Sequence, residues 1–208
     1  DETEVKCNFC AYRTKLLRNE ERIDEKDYLT DALSRETVSF IERTSNSPFF
    51  IYLAYNAPHG PLQATEKYLK RYPHIKDKRR KTYAAMVSSI DDGVGKIVSA
   101  LKEKNIYDNT IIYFLSDNGG AKSNASNNSP LNSHKGTLYE GGIRIPFVMQ
   151  WPDQIEGGTI FTKPIISLDI FATSKAIINP DLELKNKIHG KDLLPFIKGF
   201  EKGYPHEY

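Results

Sequence analysis

A strand, a long amphipathic helix and a second strand in succession predict an α/β fold: a mostly parallel sheet flanked by helices, with a small carboxyl-terminal α+β part. Three observations carry this prediction. The run Phe49-Phe50-Ile51-Tyr52-Leu53-Ala54 lacks polar alternation, as a strand buried on both faces does. Tyr83, Met86, Val87, Ile90, Val94, Ile97, Val98 and Leu101 recur at helical spacing and predict a helix over 79–104. Ile111 to Leu115 is a second short apolar run, and it stops abruptly at Ser116-Asp117-Asn118-Gly119-Gly120. Two such strands joined through a long helix form a βαβ unit, which implies parallel pairing and a right-handed crossover.

The elements follow in order. Tyr12 to Leu17 reads as a short edge strand before the turn-like Arg18-Asn19-Glu20-Glu21. From Tyr28 the pattern is helical, with Leu29, Leu33, Thr37, Phe40 and Ile41 near one face, Thr30 or Asp31 as the cap, and an end near Arg43. Ser45-Asn46-Ser47-Pro48 breaks that helix. Glu66 to Tyr72 predicts a short helix ended by Pro73. Asp91 and Asp92 are adjacent on the long helix and point about 100° apart, so they read as polar-face or helix-packing residues rather than as one ion site. Ala121 to Ser133 is polar and long for a loop, the mark of a functional or mobile segment. Ile143 to Trp151 reads as a further strand, Gly157-Gly158 as a hairpin-like turn, Ser167 to Ile178 as a helix capped by Ser167 or Asp169, and 189–200 as a short closing segment.

Composition excludes several classes. The chain has 208 residues, 39% hydrophobic and 27% charged, which suits one globular domain with a sizeable core. A net charge of +2 predicts no nucleic-acid or membrane partner, and the basic run Lys76 to Lys81 reads as a solvated turn before a helix. No apolar stretch reaches membrane-spanning length. The polar start without Met carries no secretory signal and reads as a processed or truncated chain. Cys7 and Cys10 form a lone C-x-x-C; without two further ligands of suitable type a zinc site is disfavoured, leaving a local disulfide, a redox pair or plain thiols.

Chemistry concentrates at two strand ends. After the second apolar run, Gly119 and Gly120 let the chain stop and turn, so that Asp117 and Asn118 sit together. A carboxylate beside an amide oxygen suits a hard cation such as calcium or magnesium; the same residues also suit a simple Asx-type turn. His59 lies in the loop Tyr55-Asn56-Ala57-Pro58-His59-Gly60-Pro61 after the first run, a location comparable to that of Asp117. A loop histidine is ordinarily solvated or bonded to backbone, and Lys135 in isolation is an ordinary exposed lysine.

Taken together, four stretches in order resemble the sulfatase family of the alkaline phosphatase superfamily, over about residues 28–200. They are Ala57-Pro58-His59-Gly60-Pro61-Leu62-Gln63, Ser116-Asp117-Asn118-Gly119-Gly120, Lys135-Gly136 with Glu140-Gly141-Gly142-Ile143-Arg144-Ile145-Pro146, and Gly190-Lys191-Asp192-Leu193-Leu194-Pro195. The resemblance implies an alkaline-phosphatase-like fold and a single partial sulfatase domain over 1–208, with 28–152 as the main core and 153–208 as a carboxyl-terminal extension. It implies Asp117 and Asn118 as Ca2+ ligands, Mg2+ fitting less well, and His59 and Lys135 as catalytic donors to the sulfate and leaving oxygens. Substrates would be sulfated small molecules or glycans, including aryl sulfates, and the location periplasmic, secreted or lysosomal.

One departure limits these implications. Sulfatases carry a formylglycine made within a C-x-P-S-R or C-x-A-x-R type motif, together with further metal carboxylates, commonly an adjacent Asp pair near the amino terminus. Neither Cys7 nor Cys10 fits that motif, and Asp91-Asp92 lies in the wrong place to be the pair. The chain therefore reads as a carboxyl-terminal portion that holds half of the site and is inactive alone. Two other readings stand beside it: a non-catalytic anion-binding pseudoenzyme module, and a phosphate or phosphonate ester hydrolase of the same superfamily.

Overall fold

A computed structural model describes residues 15–206. The chain divides into two compact units, one of residues 1–100 and 121–127, the other of residues 101–120 and 128–208. Cys7 and Cys10 lie outside the described residues.

The first unit opens with a small antiparallel hairpin, β1 (Leu16–Arg18) on β2 (Glu21–Ile23). Asn19 takes a left-handed conformation at its tip (φ 56°), which Asn tolerates better than most residues. Helix α1 (Leu29–Thr44) follows, buried along Thr30, Ser34, Thr37 and Ile41, the i, i+4, i+3, i+4 rhythm of one helical face. Its N-cap is Tyr28, and no side chain caps it. Thr30 and Asp31 thus fall inside the first turn, where the Asp31 carboxylate instead accepts the hydroxyl of Tyr68 at 2.5 Å. Tyr68 belongs to the short helix α2 (Glu66–Leu69) and is fully buried.

Helix α3 (Lys78–Glu103) occupies the span its periodicity predicts. A Cβ on Gly93 would stand 2.3 Å from Ser34 Oγ and 2.5 Å from Tyr55 Oη, so only glycine admits the close packing of α1 against α3. Ser34 Oγ meets both Thr30 O and Tyr55 Oη at 2.7 Å, which satisfies these buried hydroxyls. Asp92 is a packing residue, gripped by both terminal nitrogens of Arg71 at 2.7 and 2.8 Å, while its neighbour Asp91 is exposed.

The second unit is built on β3 (Ile112–Leu115) and β4 (Phe147–Gln150), separated in sequence by the short helix α4 (Glu140–Ile143). They pair antiparallel, with Ile112 opposite Gln150 and Leu115 opposite Phe147. Helix α5 (Asp169–Ile178) and the single turn α6 (Leu194–Ile197) complete it. Neither Ser167 nor Asp169 caps α5 through its side chain. The buried Asp169 carboxylate instead receives the backbone N–H groups of Ile166 and Lys191, both at 2.8 Å, and His206 Nε2 at 2.8 Å. Gly190 lets this seam close, because a Cβ there would stand 2.1 Å from Leu168 O.

The mostly parallel sheet is corrected: among the described residues both strand pairings are antiparallel. Phe49 to Ala54 is assigned to no strand, and its burial alternates, leaving Phe50 78% and Tyr52 84% exposed. An apolar run shows that a segment favours burial, but the neighbour that provides it is a long-range property that periodicity does not contain.

Candidate functional site

The Asp117 turn is held by backbone contacts that only glycine permits. Ser116 N donates to Pro146 O at 3.3 Å, carrying the β3–β4 ladder one step further, and Ser116 Oγ closes the turn by donating to Asn118 O at 2.8 Å. Gly119 N then donates to Gly142 O at 2.9 Å. That approach is so close that a Cβ on Gly119 would lie 1.9 Å from Gly141 O, and one on Gly141 would lie 2.3 Å from Ser133 O. The glycine pairs at 119–120 and 141–142 are therefore two halves of one interlock. It leaves the Asp117 carboxylate exposed, with no hydrogen bond or ion pair among the described residues. Asn118 Nδ2 donates to Gly119 O at 3.0 Å, an assignment of the amide that turns Oδ1 to the other side.

Lys135 is attached to the same interlock. Its backbone N–H donates to Gly120 O at 3.2 Å. Asn128 clamps Gly120 from both sides, Oδ1 accepting from Gly120 N at 2.8 Å and Nδ2 donating to Gly120 O at 2.9 Å. The turn that presents Lys135 is fastened by Thr137, whose N–H and Oγ1 both donate to His134 O, at 3.2 and 2.8 Å. Gly136 makes that turn possible with a φ of 89°. The structure thus brings Asp117, Asn118 and Lys135 into one hydrogen-bonded system within the second unit. Asn128 and His134 are members of it that the sequence reading passed over. The signal for Asn128 was an amide inside a loop with few apolar residues, a type that routinely bonds to nearby backbone.

His59 belongs to the first unit. Its backbone N–H donates to Asn56 O at 2.9 Å, and the exposed ring places Nδ1 2.7 Å from Gly60 O. A carbonyl only accepts, so Nδ1 carries the proton, and Nε2 is the nitrogen that faces outward chemistry. His134 repeats the arrangement, with Nδ1 2.8 Å from Lys135 O.

Asp117 and Asn118 offer hard oxygens from one rigid turn, the right chemistry for calcium, which takes about six to eight of them. Among the described residues no group of three or more His, Cys, Asp or Glu side chains comes together. The two residues fit as part of a calcium shell and do not make a whole one.

Comparison with known proteins gives a consistent result. The sulfatase family profile matches residues 3–178. The uncharacterized sulfatase YdeN of Escherichia coli is 34% identical over 200 residues, 92% of this chain and 35% of that protein. The N-acetylgalactosamine-6-sulfatase of Canis lupus familiaris is 35% identical over 177 residues, covering 82% of this chain and 33% of its own length. The crystal structure of Ps i-CgsB in complex with k-i-k-neocarrahexaose superposes with a TM-score of 0.88 at 46% identity, over 93% of this chain and 43% of that one. The chain spans about a third of the length of these curated relatives.

Proposed function

The chain belongs to the sulfatase family, and from that premise we propose that the protein is a sulfuric ester hydrolase acting on a sulfated carbohydrate or an aryl sulfate. In this reading Asp117 and Asn118 are calcium ligands, and His59 and Lys135 donate to the sulfate and leaving oxygens. The chain supplies half of the calcium and sulfate site within one partial sulfatase domain, 28–152 as its core and 153–208 as its extension. The remaining calcium ligands and the formylglycine nucleophile are not among its recognisable motifs. A periplasmic, secreted or lysosomal location belongs to the same proposal; among the described residues no helix is long and apolar enough to cross a membrane.

The observation that carries the reading is the interlock itself. The tightest glycine contacts at 119, 141 and 142 are all with backbone, and the outcome is an exposed carboxylate without a partner among the described residues. A sulfate ester spreads negative charge over its oxygens, and more charge develops on the leaving oxygen as the bond breaks. A bound cation supplies Lewis-acid stabilisation of that charge. Lys135 adds an ammonium carried on a backbone fixed at Gly120 O. In this reading His59 presents Nε2 to the leaving alcohol for proton transfer, since its Nδ1–H is already committed to Gly60 O. The carbohydrate preference rests on the relatives, one named for N-acetylgalactosamine 6-sulfate and one solved with neocarrahexaose.

The test uses the protein expressed from its full reading frame, assayed on 4-nitrophenyl sulfate, 4-nitrophenyl phosphate and a sulfated oligosaccharide. We expect sulfate turnover that a calcium chelator abolishes, and a Lys135→Ala loss in kcat/KM of about a hundredfold or more, as for removal of one charge-stabilising donor. Faster turnover of the phosphate would replace this reading with a phosphohydrolase. Calcium binding without any turnover would replace it with an anion-binding module.

A further inference from the structure

A feature that the proposed chemistry does not use is a block of positive charge in the first unit. Lys76, Lys78, Arg79, Arg80 and Lys81 surround the start of α3 with one acid among them, Asp77. That carboxylate is engaged with backbone, accepting the Arg80 N–H at 2.7 Å. The two arginines reach away from any carboxylate: Arg79 donates to Ser123 O, and Arg80 Nη1 donates to Ala125 O at 3.0 Å. They thereby hold segment 121–127 against the start of α3 and bring in a sixth cation, the exposed Lys122. None of the six joins an ion pair among the described residues, although the chain as a whole is nearly neutral at +2.

This arrangement opposes itself electrostatically. Lys78 and Lys81 are surface neighbours at i, i+3, and no acid occupies the first turn, where the helix dipole favours negative charge. These repulsions are small, and the Asp77 carboxylate on the Arg80 N–H offsets part of them at the helix start; what remains is relieved by one event, the arrival of an anion carrying several charges. The aliphatic stems are flexible and the ammonium heads make no directional demand, which suits charges spaced along a polymer. The basic run itself contains no aromatic side chain for a base to stack on; of the flanking rings, Tyr83 lies under the Arg80 guanidinium at 5.2 Å and His74 pairs with Tyr72 at 6.1 Å.

We propose that Lys76, Lys78, Lys81 and Lys122 form a docking surface for a sulfated polysaccharide. The choice of a sulfated glycan rests on the function proposed above; the charge surface itself does not. It reverses the bland reading of 76–81 as a solvated turn.

The experiment measures fluorescence anisotropy of a fluorescein-labelled sulfated galactan oligosaccharide against the protein expressed from its full reading frame, with a calcium chelator present to halt turnover, across a salt series. Lys76→Gln/Lys78→Gln/Lys122→Gln should weaken binding by about tenfold and flatten its salt dependence. Lys104→Gln/Lys185→Gln/Lys187→Gln, which removes equal charge from exposed positions elsewhere, should leave both nearly unchanged, and circular dichroism should show both variants folded. Equal weakening by the two triples overturns the proposal, as does equal binding of the desulfated oligosaccharide. Equal competition by single-stranded DNA of matched charge also overturns it. Binding is read without turnover, so the two proposals fail separately. If the hydrolase reading is wrong, aryl sulfate is not cleaved while the labelled chain still binds; if the surface is wrong, the lysine replacements change nothing while cleavage persists.

Discussion

Gly119→Ala is the substitution for which the interlock makes the sharpest demand. The new methyl group would sit 1.9 Å from Gly141 O, 2.7 Å from Gly141 C and 3.0 Å from Gly142 Cα. All three are backbone atoms, so no side chain can swing aside. Relief requires the 116–120 turn to draw away from α4, which also stretches the Gly119 N to Gly142 O bond of 2.9 Å. Overpacking costs about 1–3 kcal/mol and a lost internal hydrogen bond about 0.5–1.5 kcal/mol, together about 1.5–4.5 kcal/mol. For a chain of this size that is a fall in Tm of about 3–18 °C. Gly157→Ala is the matched control, since its Cβ meets nothing within 4 Å and its φ is not left-handed. It should leave Tm unchanged or raise it slightly, by reducing the entropy of the unfolded chain. Melting followed by near-ultraviolet circular dichroism reads both variants. If Gly119→Ala melts together with Gly157→Ala, the close approach of the two glycine pairs does not exist, and the geometry derived for Asp117 goes with it.

Two further outcomes concern pH. The Arg71 guanidinium, gripping Asp92 at 2.7 and 2.8 Å, holds that carboxyl below its ordinary value, so the stabilisation is full above the ordinary carboxylate pKa and is lost as pH falls through the lowered one. Urea unfolding at a series of acid pH values should therefore show a steeper loss of stability for the native protein than for Arg71→Met, and parallel curves would refute the coupling. At the alkaline end, burial pushes the Tyr113 phenol from 10.0 up to about 12. Its neutral form belongs to the folded state, so this stability is complete below about pH 10 and disappears as pH rises toward about 12. Tyr113→Phe should remove that part of the alkaline transition, whereas an unchanged alkaline midpoint would show that the ring is not buried.

The turn at Asp117 could be read in advance because its signal is local. Gly119 and Gly120 after Ile111 to Leu115 announced a turn, and the turn is there. The partner of that turn was not legible: nothing within residues 110–120 states that Gly141 will approach within a distance no Cβ tolerates. Asn128 was missed for the same reason, since its bonds to Gly120 span eight residues of a polar loop. The parallel sheet failed at Phe49 to Ala54, where an uninterrupted apolar run was taken to mean burial on both faces, although Phe50 and Tyr52 are largely exposed. The expected caps of α1 and α5 failed in a related way. Asp31 and Asp169 each had a more distant partner, Tyr68 for one and the Lys191 N–H for the other, and a charged oxygen goes to the donors that tertiary structure places beside it.

By itself the sequence determined the family, the long helix α3 and the identity of the chemically capable groups, because motifs and periodicity are properties of neighbouring residues. Only the tertiary structure decided the antiparallel partner of β3, the interlock that exposes the Asp117 carboxylate, and the tie between 121–127 and the start of α3. Pairing, close approach and charge density all depend on which distant residues meet, and that information exists only once the chain is folded.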